Sequence, residues 1–144
     1  MLNKMHLYYE RRLKGDVSTD IEGALRMLNI NEIPMSDGVF AKEYDEELLV
    51  KVAKICSAIF PAQQSYNMST SSYGLKHYIE RIFGIYVSNY QFKICMQMAG
   101  FWAKIYKGLN KSINVYYRIP ESSLKYLFYL SYTQTLFDLN KDEN

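Results

Sequence analysis

The sequence predicts a mainly α protein with a β-hairpin in its C-terminal half, an α+β fold in which a winged helix-turn-helix-like module follows an N-terminal helical segment. Three observations predict it. Apolar residues recur at three- and four-residue steps in successive stretches, capping residues precede most of those stretches, and two alternating runs, Phe101–Tyr106 and Ile113–Ile119, flank a segment containing Gly108 and Asn110. Of the 144 residues 49% are apolar and 22% charged, so the chain has the composition of a folded domain rather than a disordered one.

Each element has a local cause. Leu2 to about Lys14 mixes apolar and charged residues at helical spacing, and Gly15 stops it. A second helix begins near Thr19, where Thr19-Asp20-Ile21-Glu22 fits a capping box ahead of Ala24, Leu25 and Leu28. Asn29–Tyr44, with Pro34, Asp37 and Gly38, has no clear period and reads as a loop with a short extended stretch at Val39–Ala41. Asp45 then caps a stronger helix, in which Leu48, Leu49, Val52, Ile55, Cys56, Ile59 and Phe60 form one stripe until Pro61. Within that stripe Cys56 reads as a buried apolar group, not a nucleophile. Ala62–Thr70 is polar and reads as a linker.

Beyond it, Ser71 and Ser72 offer an N-cap to a helix ending at Gly84, with Leu75, Ile79, Ile82 and Phe83 as its buried stripe and Lys76, Glu80 and Arg81 facing elsewhere. Ile85-Tyr86-Val87 is a tight connection. Ser88 caps the next helix, whose inner face is Phe92, Cys95, Met96 and Ala99 and whose stop is Gly100. Asn89, Lys93 and Gln97, four apart, share its polar face. In the hairpin, Phe101, Ala103, Ile105, Ile113, Val115, Tyr117 and Ile119 form one face, and Trp102, Lys104, Tyr106, Asn114, Tyr116 and Arg118 the other. Pro120 ends the second strand, and Ser122 to about Leu139 forms a last helix with aromatics around most of its circumference. The expected organisation is an acidic helical segment over 1–61, a linker over 62–70, a basic helix-helix-hairpin-helix module over 71–139 and a frayed tail over 140–144.

Charge divides the chain in the same places. Residues 1–61 carry eight Lys or Arg against ten Asp or Glu, and residues 121–144 carry two against four. Residues 62–120 hold seven basic side chains opposed by Glu80 alone, a local charge of +6 within a net charge of +2. A polyanionic partner is the common reason for such a segment. In a winged helix-turn-helix the second helix enters the major groove and the hairpin lies along the adjoining backbone. Asn and Gln pair bidentately with adenine and Lys reaches guanine, which assigns base contacts to Asn89, Gln91, Lys93 and Gln97, with the capping Ser88 counted beside them among the DNA-binding residues. Lys104, Lys107, Lys111 and Arg118 are then phosphate contacts, and Lys76, His77 and Arg81 brace the same backbone. Trp102, Tyr106 and Tyr116 either cover the core or stack on single-stranded bases.

The residues Ser72-Tyr73-Gly74-Leu75-Lys76-His77, then Glu80, Tyr86-Val87-Ser88-Asn89 and Ala99-Gly100-Phe101, give residues 71–119 a pattern that resembles small uncharacterised proteins of phages and integrative elements. That resemblance implies a mobile-element origin and a compact helix-helix-hairpin module, with no catalytic residues to carry over. This chain departs from the pattern at Lys93, Ile94 and Cys95, where the resembling proteins have small residues.

No nucleophile with a base, no carboxylate pair and no glycine-rich phosphate loop stands out, and the two cysteines and two histidines make no metal set of ordinary spacing. The expectation is a non-enzymatic, cytoplasmic protein without cofactor, metal or membrane span, acting on duplex or single-stranded DNA as a regulator or as an accessory of replication or maintenance. The contrasting class is a protein-binding inhibitor or adaptor, such as an anti-defence protein directed at a host protein. The aromatic last helix, Ser122–Leu139, further predicts a homodimer.

Overall fold

The computed structural model describes residues 17–35, 45–105 and 113–142, with side chains to residue 134. The expected helix Leu2–Lys14, the extended stretch Val39–Ala41 and the hairpin turn with Tyr106, Lys107 and Lys111 lie outside the described residues. Within them the chain forms α1 (Ile21–Ile30), α2 (Glu46–Ile59), α3 (Ser72–Phe83), α4 (Asn89–Met98), β1 (Lys104–Ile105), β2 (Val115–Tyr116) and α5 (Glu121–Asp142). The fold is mainly helical with one small antiparallel sheet, which pairs Lys104 with Tyr116 and Ile105 with Val115.

Capping sets the helix starts. Asp20, rather than Thr19, caps α1: its carboxylate accepts the Gly23 amide at 2.9 Å. The helix then runs to Ile30 through part of the expected loop. Asp45 caps α2 as its sequence predicts, accepting the Glu47 and Leu48 amides. Ser71 precedes α3 without donating or accepting a side-chain cap bond, and Gly84 ends that helix at a φ of +65°, a left-handed conformation that glycine adopts without strain. Ser88 caps α4 reciprocally with Gln91. The last helix starts at Glu121 and continues to Asp142, beyond the expected end at Leu139 and into the stretch expected to fray.

The centre of the molecule is α4, which packs against α1, α2 and α3, while α5 and β2 pack on α3. Six of its ten residues are buried: Phe92, Lys93, Ile94, Cys95, Met96 and Met98. Full burial of each large apolar side chain there is worth about 1.5–3 kcal/mol. One core holds residues from both halves of the chain, including Leu28 and Leu49 with Phe92, Val115 and Leu127. Edge-on ring pairs join distant segments, Phe60 with Phe101 at 6.1 Å and Phe92 with Tyr117 at 6.4 Å. Expected inner positions Phe101, Val115, Tyr117 and Ile119 are buried and Trp102 and Lys104 are exposed, as the alternation predicts, but Ile113, expected on the inner face, is 41% exposed because it lies before the paired residues of β2. The strands themselves are only two residues long. In α3 the stripe is shifted, because Phe83 is exposed while Ser72 and Lys76 are buried.

Residues 62–70 are not a free linker. Gln63 donates its amide to the Arg118 carbonyl at 3.1 Å, and Asn67 donates its own to the Tyr117 carbonyl at 2.9 Å. An antiparallel bridge between Asn67 and Tyr117 lays this segment alongside the continuation of β2. The backbone groups left unpaired by so short a hairpin find their partners here.

Lys93 is 1% exposed, and its ammonium donates to the Pro34 carbonyl. Lys104 is exposed. A carboxylate at position 93 faces a carbonyl in a dry interior, so Lys93→Glu is expected to cost about 3 kcal/mol or more. Lys104→Glu is expected to stay within about 0.5 kcal/mol of the parent. Urea denaturation of both variants checks the contrast.

Candidate nucleic-acid interface

The basic segment is organised around its single carboxylate. Glu80 Oε1 accepts from Lys76 Nζ at 3.0 Å and lies 3.1 Å from His77 Nδ1, while Oε2 accepts the Val87 amide at 3.2 Å. The Glu80 carbonyl accepts the Ile85 amide at 3.2 Å and also the Gly84 amide. Glu80 therefore fastens both ends of the turn between α3 and α4, a role that a small residue at this position could not fill. Lys76 is 5% exposed and lies 5.4 Å and 5.5 Å from the ring centres of Tyr73 and Tyr86. Expected as a phosphate brace, it is instead an internal strut, because Glu80 satisfies its charge and two rings cover it. His77 and Arg81 are exposed on α3.

The expected base-reading stripe of α4 is covered in its middle. Asn89, Lys93 and Gln97 do share one face, but Lys93 is turned into the protein against Pro34, so it cannot reach a base edge. Ser88 and Gln91 satisfy each other's backbone amides at 3.0 Å and 2.9 Å. Asn89 donates to Asn114 Oδ1 at 2.9 Å across the space between α4 and the hairpin, and its own Oδ1 is buried without a hydrogen-bond partner. Asn89, Gln91 and Gln97 are each half-buried. Burial pushes the Cys56 thiol well up, and burial together with Cys56 does the same for Cys95, so neither is a thiolate nucleophile at neutral pH.

Cations and aromatics converge on the outer face of the hairpin. The Tyr66 ring has Lys104 Nζ 5.4 Å and Arg118 Cζ 4.7 Å from its centre, and both contacts are cation–π. Arg118 Nε is buried without a hydrogen-bond partner. Alongside lies an open groove of about 840 Å³, lined by Asn31, Tyr66, Met68, Trp102 and Lys104 among others. Trp102 is 55% exposed at its edge. A second groove, of about 770 Å³, lies between α2 and the end of α3, but Glu46 and Glu47 share it with Lys51 and Lys54, which makes it a poor seat for a polyanion.

Tyr66 is the residue that sequence reasoning misses, because it sits in the polar stretch 62–70 and belongs to no period. Its placement depends on the tie between that stretch and the hairpin. Asn67 Nδ2 donates to the Ile119 carbonyl at 3.0 Å and to Glu121 Oε2 at 2.9 Å, and Ser69 Oγ donates to the same carboxylate at 2.8 Å. Lys104 and Arg118 are thus brought together; Lys76 and Lys93 are taken inside.

Among the described residues no three His, Cys, Asp or Glu are grouped so as to hold a metal ion, and no helix is long and apolar enough to cross a membrane. No protein-family model, curated protein or solved structure matches the chain.

Hydrogen bonds from Asn67 and Ser69 hold the Glu121 carboxyl below its ordinary range. A lowered folded-state value means stabilisation that is complete above the unfolded value of about 4.3 and is lost as pH falls through the folded one. Glu121→Ala is therefore expected to lower Tm at pH 7, and the gap from the parent should close as the medium is acidified below that range. Thermal melts of both proteins at a series of pH values read the effect directly.

Proposed function

We propose that this protein binds nucleic acid, single strands in preference to duplex, through the face formed by Tyr66, Trp102, Lys104 and Arg118. One observation carries the proposal: two cations stack on a single tyrosine ring beside an exposed tryptophan, at the edge of an open groove. Stacking of bases on exposed rings is worth about 1–3 kcal/mol per base and tolerates any sequence, while neighbouring cations take the phosphates. Duplex docking in the manner of a winged helix-turn-helix has less support, because it needs a protruding second helix. The corresponding α4 offers only half-buried Asn89, Gln91 and Gln97. Binding of this kind requires no catalytic group. Combined with the resemblance of residues 71–119 to phage and integrative-element proteins, it fits a cytoplasmic accessory of replication or maintenance, or a regulator.

Trp102 is the sole tryptophan of the chain, so its fluorescence reports on the proposed platform alone. Adding oligothymidylate at low salt is expected to quench it, with affinity falling as salt rises. By anisotropy of a labelled oligonucleotide, Trp102→Ala should weaken binding by about 1–3 kcal/mol. Lys104→Glu should flatten the salt slope by about 0.7 for each phosphate that is no longer neutralised. Absence of binding at low salt, or equal affinity in the parent and both variants, overturns the proposal.

A further inference from the structure

The last helix has apolar side chains on two opposite sides. At 100° per residue, Ser123, Leu124 and Leu127 fall on the side that packs toward α3, and all three are buried. Tyr126, Phe128, Tyr129 and Tyr132 occupy the remaining arc and are between 58% and 62% exposed. A helix on the surface of a monomer normally turns charge outward; here the outer arc carries four rings. We propose that this arc of α5 is the contact surface for α5 of a second copy of the chain, giving a two-fold symmetric dimer.

Area and hydrogen bonding favour that occupant, and charge does not oppose it. With about 200 Å² per ring, the four aromatics leave about 480 Å² exposed on each copy. Two copies bring together about 1,000 Å², the lower limit for a specific interface before any flanking residue is counted. Residues 126–137 contain no Asp, Glu, Lys or Arg, and exposed Lys125, which shares the arc, falls at the end of that stretch, so an antiparallel copy related by two-fold symmetry sets the two Lys125 side chains at opposite ends of the contact. Tyrosine hydroxyls donate and accept equally well, which makes a face of three tyrosines complementary to itself. The inference is independent of the proposed nucleic-acid face, which lies on other elements.

Sedimentation velocity of the whole chain from about 1 to about 100 µM tests it. The parent is expected to pass from monomer to dimer over that range. Tyr129→Glu combined with Tyr132→Glu faces like charges across the symmetric contact and should raise the dissociation constant about 100-fold or more. Tyr86→Glu, at an exposed ring on the connection between α3 and α4, should leave it unchanged. Circular dichroism melts equal to the parent's establish that each variant is folded. A parent that stays monomeric at the top of the range overturns the inference, whether or not the arc captures some other protein. So does a folded double variant that dimerises with the affinity of the parent.

Discussion

The position of α4 at the centre of the molecule decides whether its own polar face can meet a partner. A helix packed against three others has no broad face left for solvent, so Phe92, Ile94, Met96 and Met98 are buried around its circumference and Lys93 is carried inside with them. The ammonium survives there because Pro34 presents a carbonyl to it. Burying a charge is tolerable only with such a partner, which makes the 33–35 segment part of the core rather than a surface loop. With the second helix enclosed, the recognisable chemistry of the basic segment moves to the hairpin and to the strand-like stretch that joins it.

Three sets of hydrogen bonds hold that arrangement, one local and two that join distant parts of the chain. Glu80 gathers Lys76, His77 and the Val87 amide, and so sets the angle at which α3 hands the chain on to α4. Ser72, buried at the start of α3, accepts the Val115 amide at 3.1 Å and fixes the hairpin against that helix. Asn67, Ser69 and Glu121 then bind the preceding segment to the base of α5. Tyr66 is thereby seated where Lys104 and Arg118 reach its ring from separate strands.

What was legible in the sequence follows the range of the interaction involved. Local signals were readable: the Asp45 and Ser88 caps, the left-handed stop at Gly84 and the in–out alternation from Phe101 and from Val115 are all properties of a few neighbouring residues. A helical period misplaces Lys76 and Lys93 because it shows which residues share a face but not what covers it, and Glu80 and Pro34 supply that cover. The tie of residues 62–70 to the hairpin spans about fifty positions in sequence and leaves no periodic trace, so the polar stretch reads as a linker and nothing in it marks Tyr66. Of the twelve expected contact residues, Lys104 and Arg118 are the pair the fold unites on an aromatic face.

The proposed nucleic-acid binding, without an exposed recognition helix, makes a positional demand. Backbone amide shifts recorded while oligothymidylate is added to the ¹⁵N-labelled chain locate the contact residue by residue. Contact through the Tyr66 face puts the largest perturbations at residues 66–68, 102–105 and 116–118, with the amides of α4 essentially still. Perturbations centred on α4, or none anywhere at low salt, would contradict it.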